Sequence, residues 1–336
     1  MKKEVILVYR KQFPHTFSIE FIFDNVLASV SQVIQIKKYT LPRFSNSFFN
    51  RIINIAAMLR LRHKIVHVTG DVHYAILGAW FDYRILTIHD LAFMRQNNGI
   101  KRSILKWFYI TIPVKFAHRV TVISDATKTD LLSYVTVDPQ KIKVIPDFIS
   151  AIYQFVPNRK FNTDRPRILQ IGTAFNKNID RLAEAMAGIS CTLMIIGDLS
   201  EEQKATLKKF RINFTNKVDL TEQAIYQEYA KADLLAFVST IEGFGMPIIE
   251  AQACGLPVIT SNCSAMPEVA GDAALLINPL DIASIKNGIL ELISNETLRN
   301  ELIQKGFANV KRFSKEKVVA QYKLLYEEAE NQKLLN

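Results

Sequence analysis

Long apolar runs are missing from this chain of 336 residues, and none reaches the roughly 20 residues a bilayer-spanning helix needs. Cysteine is scarce. The three present, Cys191, Cys254 and Cys263, show no CxxC or other metal-ligand spacing, which favours a reduced, cytoplasmic chain. No GxxxxGK[ST] stretch occurs, so a P-loop is excluded. No GxGxxG follows the first apolar run, where the sequence reads YRKQFPHTFSIEFIF instead. Internal repeats and low-complexity segments are absent as well. The opening MKKEVILVYRKQF reads as a first buried strand, because polarity returns at Arg10 and no small-residue cleavage site follows.

What is present is apolar material, at 49% of the residues, enough for sizeable cores and against disorder. The length exceeds a usual single core, so two domains are expected. The net charge of +10 is unevenly spread. Residues 1–150 hold 21 Lys and Arg against 10 Asp and Glu, and residues 151–336 hold 21 against 22. A basic half suits an anionic partner surface: lipid head groups, nucleic acid or an acidic acceptor. The plainer alternative is a solvated basic surface that only aids solubility.

The second half alternates strands and helices. Strands are expected at Arg167–Gly172, Thr192–Gly197, Arg211–Phe214, Asp233–Val238 and Pro257–Thr260. Helices fall between them at Asn178–Ala187, Glu201–Phe210, Glu222–Ala230 and Pro247–Ala253. Near-continuous apolar strands between helices imply a parallel sheet covered on both faces. The first half repeats this less clearly at Val5–Val8, Ile65–Val68, Ile85–Ile88, Val120–Ile123 and Lys143–Ile145. Two Rossmann-like doubly wound α/β domains follow, joined near Pro146–Pro157.

The stretch EGFGMPIIE, Glu242 to Glu250, is the most informative in the chain. Two carboxylates bracket a glycine-flanked turn (Gly243, Phe244, Gly245) and a helix start at Pro247. A helix N-terminus offers unpaired N–H groups, a seat for phosphate. Acceptors beside an anion seat suit a ligand with a diphosphate and several hydroxyls, as in a nucleotide sugar. This segment resembles the glutamate-x7-glutamate signature of the family-four retaining glycosyltransferases, which have the GT-B fold. The likeness continues through CGLPVITSNCSAMPEVAGDAALLINPLD, Cys254 to Asp281; weaker echoes run from about Leu86 to the C-terminus, and the first eighty or so residues match poorly. It implies two Rossmann-like domains facing a central cleft. Residues 1–150 would be the acceptor side and 151–313 the donor-binding side, with a last helix from about 314 to 336 crossing back.

The resemblance also assigns residues. Glu250 would accept from the ribose, and Glu242 or the Gly243–Phe244–Gly245 backbone would hold the sugar. Lys177, in the loop beginning Gly172–Thr173, would neutralise the diphosphate. The family's partner arginine is missing there, with Thr173 and Asn176 in its place. A lysine at a helix start is otherwise poorly placed against the helix dipole unless an anion is near. His89 would face the donor sugar; alternatively it is a packing residue held by Asp90. Ser124 is a good N-cap whatever else it does. Glu268 and Gly271 fit turn chemistry as well as function. Ser18–Ile19–Glu20 stands where many members carry a glycine-rich acceptor loop.

A metal-independent, retaining transfer from a nucleotide-diphosphate sugar is the implied activity, since no Asp-x-Asp motif follows a strand. No cofactor and no metal site are expected. The acceptor would be a glycan or a polyprenyl-linked glycan in surface polysaccharide biosynthesis. A phosphorylase or a nucleotide-sugar epimerase on the same fold stays open, as does a basic nucleic-acid-binding protein; nucleic acid is not the expected partner. Lys101, Arg102, Lys106 and Trp107, within KRSILKWFYITIPVKFAHR, have the composition of a segment lying on an anionic membrane. Pro113 would end or kink a helix there, leaving one short helix over Ser103–Thr111. A second basic stretch, Arg51 to Lys64, includes Arg60 and Arg62. A cytoplasmic location, peripheral on the inner membrane face, fits this reading.

Overall fold

The computed structural model describes residues 4–11, 18–31, 34–61 and 64–334. Arg62 and the side chain of Ser18 lie outside the described residues. The chain divides into two compact units. Unit 1 takes the residues up to Phe148 together with those from Lys315, and unit 2 is Ile149–Ser314.

Unit 1 contains β1 (Val5–Tyr9), α1 (Ser18–Val30), β2 (Ile36–Thr40), α2 (Phe48–Met58), β3 (Ile65–Val68), β4 (Tyr83–Ile88), α3 (Ala92–Arg95), α4 (Gly99–Leu105), α5 (Ile112–Phe116), β5 (Arg119–Val122), α6 (Asp125–Tyr134) and β6 (Ile142–Val144). Its sheet is parallel with order β2-β1-β3-β4-β5-β6. Alternate residues of the central strands feed two cores. Ile6, Val8, Val66 and Val68 face one side, and Val5, Leu7, Ile65 and Ile85 the other. Both faces being covered explains why these strands read as apolar runs rather than alternations.

Unit 2 runs β7 (Arg167–Ile171), α7 (Ile179–Met186), β8 (Thr192–Ile196), α8 (Glu201–Lys209), β9 (Phe214–Lys217), α9 (Glu222–Lys231), β10 (Leu234–Phe237), α10 (Met246–Ala253), β11 (Val258–Ser261), α11 (Met266–Ala270), β12 (Leu275–Ile277), α12 (Ile282–Ser294) and α13 (Glu296–Val310). Its parallel order is β12-β11-β10-β7-β8-β9. The final helix, α14 (Lys315–Leu334), belongs to unit 1, where Val318, Tyr322, Leu325 and Tyr326 complete the second core.

The structure departs from the sequence expectations in four places. Strand β2 was not expected: its residues IKKYT expose Lys37 and Lys38 at a sheet edge, so no apolar run marks it. The three-residue edge strand β12 is another addition. The strand expected at Arg211–Phe214 starts instead at Phe214, because Arg211 is left-handed (φ 54°) and still closes the turn after α8.

The fourth departure is at Pro113, which does not end its helix. The backbone passes from α4 through a π-helical stretch, Lys106–Thr111, into α5. Proline removes the N–H that would serve the carbonyl of Tyr109 four residues back. That carbonyl instead accepts from His73 Nδ1 at 3.0 Å. Among the described residues no helix is long and apolar enough to cross a membrane.

Candidate functional site

In open parallel sheets, ligands bind beyond the strand C-termini where the strand order reverses. Unit 2 reverses between β7 and β10. The two loops leaving those strands carry Lys177 and Glu242, the residues the sequence singled out.

The first loop is built for close approach. Gly172 has φ 84°, and a Cβ there would lie 2.8 Å from Lys177 Cε. The lysine therefore folds over the glycine. Asn178 is left-handed at φ 60° and donates to the carbonyls of Val238 (3.0 Å) and Pro279 (2.7 Å), fastening the loop to the end of β10. Thr173 faces the other way. Its hydroxyl donates to the Asp198 carbonyl at 2.6 Å, and its own carbonyl accepts from Gln203 Nε2 at 2.8 Å.

Lys177 Nζ donates to Glu242 Oε1 at 2.6 Å, and both side chains are largely buried, at 17% and 14% exposure. The same oxygen accepts from Asn176 Nδ2 at 3.1 Å. The ammonium also lies over the Phe237 ring, 4.6 Å from its centre. The anion that Lys177 needs beside a helix start is thus Glu242 itself. The backbone of Glu242 is fixed in turn by Ser264, whose Oγ donates to its carbonyl at 2.6 Å and accepts from its N–H at 3.1 Å.

Gly243 is half-buried, and the Phe244 ring is buried edge-on against Phe313 at 5.4 Å. Gly245, at φ 113°, turns the chain into α10, whose second residue is Pro247. Glu250 follows one turn on. Its Oε2 accepts from the Tyr229 hydroxyl at 2.7 Å. Burial pushes the Glu250 carboxyl up to about 7, against the hydrogen bond from Tyr229, which lowers it. Glu222 nearby raises it further, while Tyr153 and Lys177 pull it down.

Unit 1 reverses its strand order between β1 and β3. A cavity of about 480 Å³ opens there, lined by Arg10, Asp71, His73, His89, Asp90 and Tyr109 among others. Arg10 Nε donates to Glu20 at 2.8 Å and its Nη1 to Asp71 at 2.9 Å. His89 Nε2 donates to the Thr69 carbonyl at 2.9 Å, which fixes the proton on that nitrogen when the ring is neutral. Asp90 does not hold His89; its Oδ1 accepts from the N–H of Ala92, the first residue of α3, at 2.9 Å. Burial pushes His73 below its ordinary value.

Other candidates take the plainer roles. Ser124 accepts from the Thr127 N–H at 3.0 Å as the N-cap of α6. The Glu268 carbonyl accepts from Arg312 at 3.3 Å, and Gly271 lies against Asn309. Lys101 and Arg102 on α4 are exposed, as is Trp107, while Lys106 is half-buried. Among the described residues no three His, Cys, Asp or Glu side chains gather as a metal would need. Arg10, Tyr229 and Ser264 were not singled out in advance. Only Arg10 carried a signal: a cation directly after the first strand.

The sequence model of the glycosyl transferases of group 1 matches residues 154–309, and that of glycosyltransferase family 4 matches residues 4–151. O-antigen chain mannosyltransferase B of Escherichia coli is 42% identical over 101 residues, 29% of this chain and 26% of that protein. O-antigen chain mannosyltransferase RfbU of Salmonella typhimurium is 27% identical over 228 residues, covering 61% and 59%. The matches thus span from about a quarter to three fifths of those relatives' lengths. The solved structure of Anabaena HepE in complex with UDP and glucose superposes with a TM-score of 0.78 over 97% of this chain and 100% of that one, at 14% identity.

Proposed function

We propose, from the premise that this chain belongs to the glycosyltransferases of group 1 with the two Rossmann-like units of the GT-B fold, that it moves a sugar from a nucleotide-diphosphate sugar to a glycan or lipid-linked glycan acceptor in surface polysaccharide synthesis. The observation that carries this reading is the Lys177–Glu242 pair at the strand-order reversal of unit 2, with Glu250 on α10 one turn beyond the Gly245 bend. Two relatives named as mannosyltransferases make mannose the first sugar to test.

Donor binding breaks the Lys177–Glu242 pair. The ammonium turns to the diphosphate, and the α10 start behind Gly245 adds its N–H groups to the same anion. Glu242 is then released to accept from a sugar hydroxyl. Glu250 accepts from the ribose hydroxyls. Reaction proceeds with retention: the bond from the anomeric carbon to the diphosphate oxygen breaks, and the acceptor hydroxyl bonds to the same face. Its proton passes to the departing diphosphate oxygen. The chain's part is positioning and charge stabilisation of the leaving group. Lys177 supplies the cation for it, so no divalent metal is required. The acceptor occupies the unit 1 cavity. The role of His89 toward the sugar rests on the family resemblance, and its place in that cavity wall is compatible with it. A cytoplasmic setting, where nucleotide sugars are made, completes the reading.

Calorimetric titration with a panel of nucleotide sugars tests it. One donor should bind, and Lys177→Ala and Glu250→Ala should each weaken it by about ten- to a hundredfold, the loss of one charge-assisted contact. Affinity unchanged in both variants would remove the site assignment.

A further inference from the structure

Residues 99–116 bury one side against the unit 1 sheet, but only in their second half: Ile110, Pro113 and Val114 are buried. In the first half, Ile100, Ile104 and Trp107 recur at positions that share a helix face and are 60–81% exposed. Helix α2 shows the same pattern. Asn54 and Met58 are buried, while Phe48, Phe49, Ile52 and Ile53 are 43–78% exposed. Singly exposed apolar residues are ordinary, but two helices each presenting a row of them are not.

The sequence segments that carry these rows hold charges of one sign, although Lys37, Lys38 and Lys64 pair with Glu4 or Asp24, and Arg95 with Asp130, from outside them. From Asn25 to Gly70 the sequence has seven Lys and Arg and no carboxylate, and from Leu91 to Ser124 it has six and none. Lys101 and Arg102 stand on the exposed turn of α4 itself. The two helices also meet at one place. Arg51 of α2 donates to the Ser45 carbonyl at 3.1 and 3.0 Å and stacks over the Tyr109 ring at 5.5 Å. Ser45, Asn46, Leu105 and Tyr109 all line the unit 1 cavity. The loop leading into α2 and the 99–116 helix therefore both reach the wall of that cavity.

We propose that α2 and the first half of the 99–116 helix form a docking surface for an anionic lipid bilayer, holding the unit 1 cavity at the lipid surface. Apolar side chains enter the interface while the cations meet the head groups. The occupant is a lipid surface rather than a protein because the exposed cations Lys101 and Arg102 stand beside the α4 row, with Lys106 half-buried one turn on, and no carboxylate interrupts either sequence segment. This surface is independent of the donor site, so the two can fail separately.

Vesicle flotation tests it on the full chain. Wild type should float with phosphatidylcholine vesicles containing phosphatidylglycerol and much less with phosphatidylcholine alone. Lys101→Glu/Arg102→Glu/Lys106→Glu should lower partitioning by at least about a hundredfold, at roughly a factor of five per cation. Ile100→Ser/Ile104→Ser/Trp107→Ser should lower it as well, while Leu290→Ser on α12 should not. Melting curves confirm that the variants fold. In a Trp80→Phe background, Trp107 emission should shift to the blue on adding anionic vesicles. Failure of wild type to float at low salt overturns the proposal, as does equal flotation of all variants. A chain that ignores vesicles but sediments as a dimer, dissociated by the Ile100/Ile104/Trp107 variant, would assign the surface to a second copy instead.

Discussion

The two units share an architecture of six parallel strands yet use their order reversals differently. In unit 2 a single ion pair, Lys177–Glu242, crosses between two strand-end loops, and the proposed diphosphate ligand would compete for its cation. In unit 1 the cation at the equivalent place, Arg10, is held by two carboxylates, Glu20 and Asp71, and lines an open cavity. The same topology thus sets one carboxylate against the cation in unit 2 and two against the cation in unit 1. Charge placement within a common frame, not the frame, separates the two sites.

The packing of the units offers the sharpest test of their difference. In unit 1, Gly78 closes the 3₁₀ helix His73–Gly78 against α2, and a Cβ there would sit 2.0 Å from the Ile55 carbonyl oxygen. In unit 2, a Cβ on Gly288 would meet side-chain carbons, Ile259 Cδ1 at 2.6 Å and Ile277 Cγ2 at 2.8 Å. Backbone cannot move aside as a methyl group can. Gly78→Ala should therefore cost about 3 kcal/mol or more, and Gly288→Ala nearer 1–2 kcal/mol. Urea denaturation of both variants measures this, and equal losses would break the contrast.

Proton linkage should split the units next. Burial holds His67 of unit 1 down to about 3, and Glu250 of unit 2 up to about 7. Between about pH 4.5 and 6.5 the unfolded chain binds the proton that folded His67 refuses, so unit 1 gains stability as pH rises. Folded Glu250 keeps a proton that the unfolded chain releases, so unit 2 loses stability over the same rise. Both tryptophans, Trp80 and Trp107, lie in unit 1. Denaturation followed by their fluorescence should therefore weaken by about 2 kcal/mol from about pH 6.5 to about pH 5. Hydrogen exchange at α10 should move the opposite way, and Glu250→Gln should abolish that movement. Parallel responses of the two probes would refute the opposition.

How much of this was legible beforehand depended on burial and on sequence distance. The core strands of both units were, because coverage on both faces writes them as apolar runs. Edge strand β2 was not, since Lys37 and Lys38 face solvent and break the run. Lys177, Glu242 and Glu250 could be picked out by residue type and spacing. The pairing of Lys177 with Glu242 could not, because 65 positions separate them and only the β7–β10 adjacency brings them together. Arg10 escaped for the same reason: Asp71 reaches it because β3 lies beside β1. The helix through Pro113 was missed because the group that satisfies its lost partner, His73, is supplied by another element.

The smallest expected effect is none at all. Sugar transfer should persist in chelator on the proposal that Lys177 supplies the cation for the leaving diphosphate. Loss of activity that magnesium or manganese restores would move the charge stabilisation away from Lys177, and with it the contrast with Arg10.

The return of α14 to unit 1 sets the order in which the molecule can be completed during synthesis. Unit 2 is one continuous segment, Ile149–Ser314, and all of it has been translated before α14 exists. Unit 1 begins first but must wait for the last helix, which brings Tyr322 and Tyr326 to its core, Tyr326 to within 2.9 Å of His67, and Gln332 to accept from Tyr83 at 2.6 Å. Until then, one apolar side of its sheet, covered only by α1, stays partly open while the ribosome is still reading. The half of the protein made earliest is the half finished last, and a nascent chain halted before Lys315 would present that open side to whatever chaperone or aggregate is near.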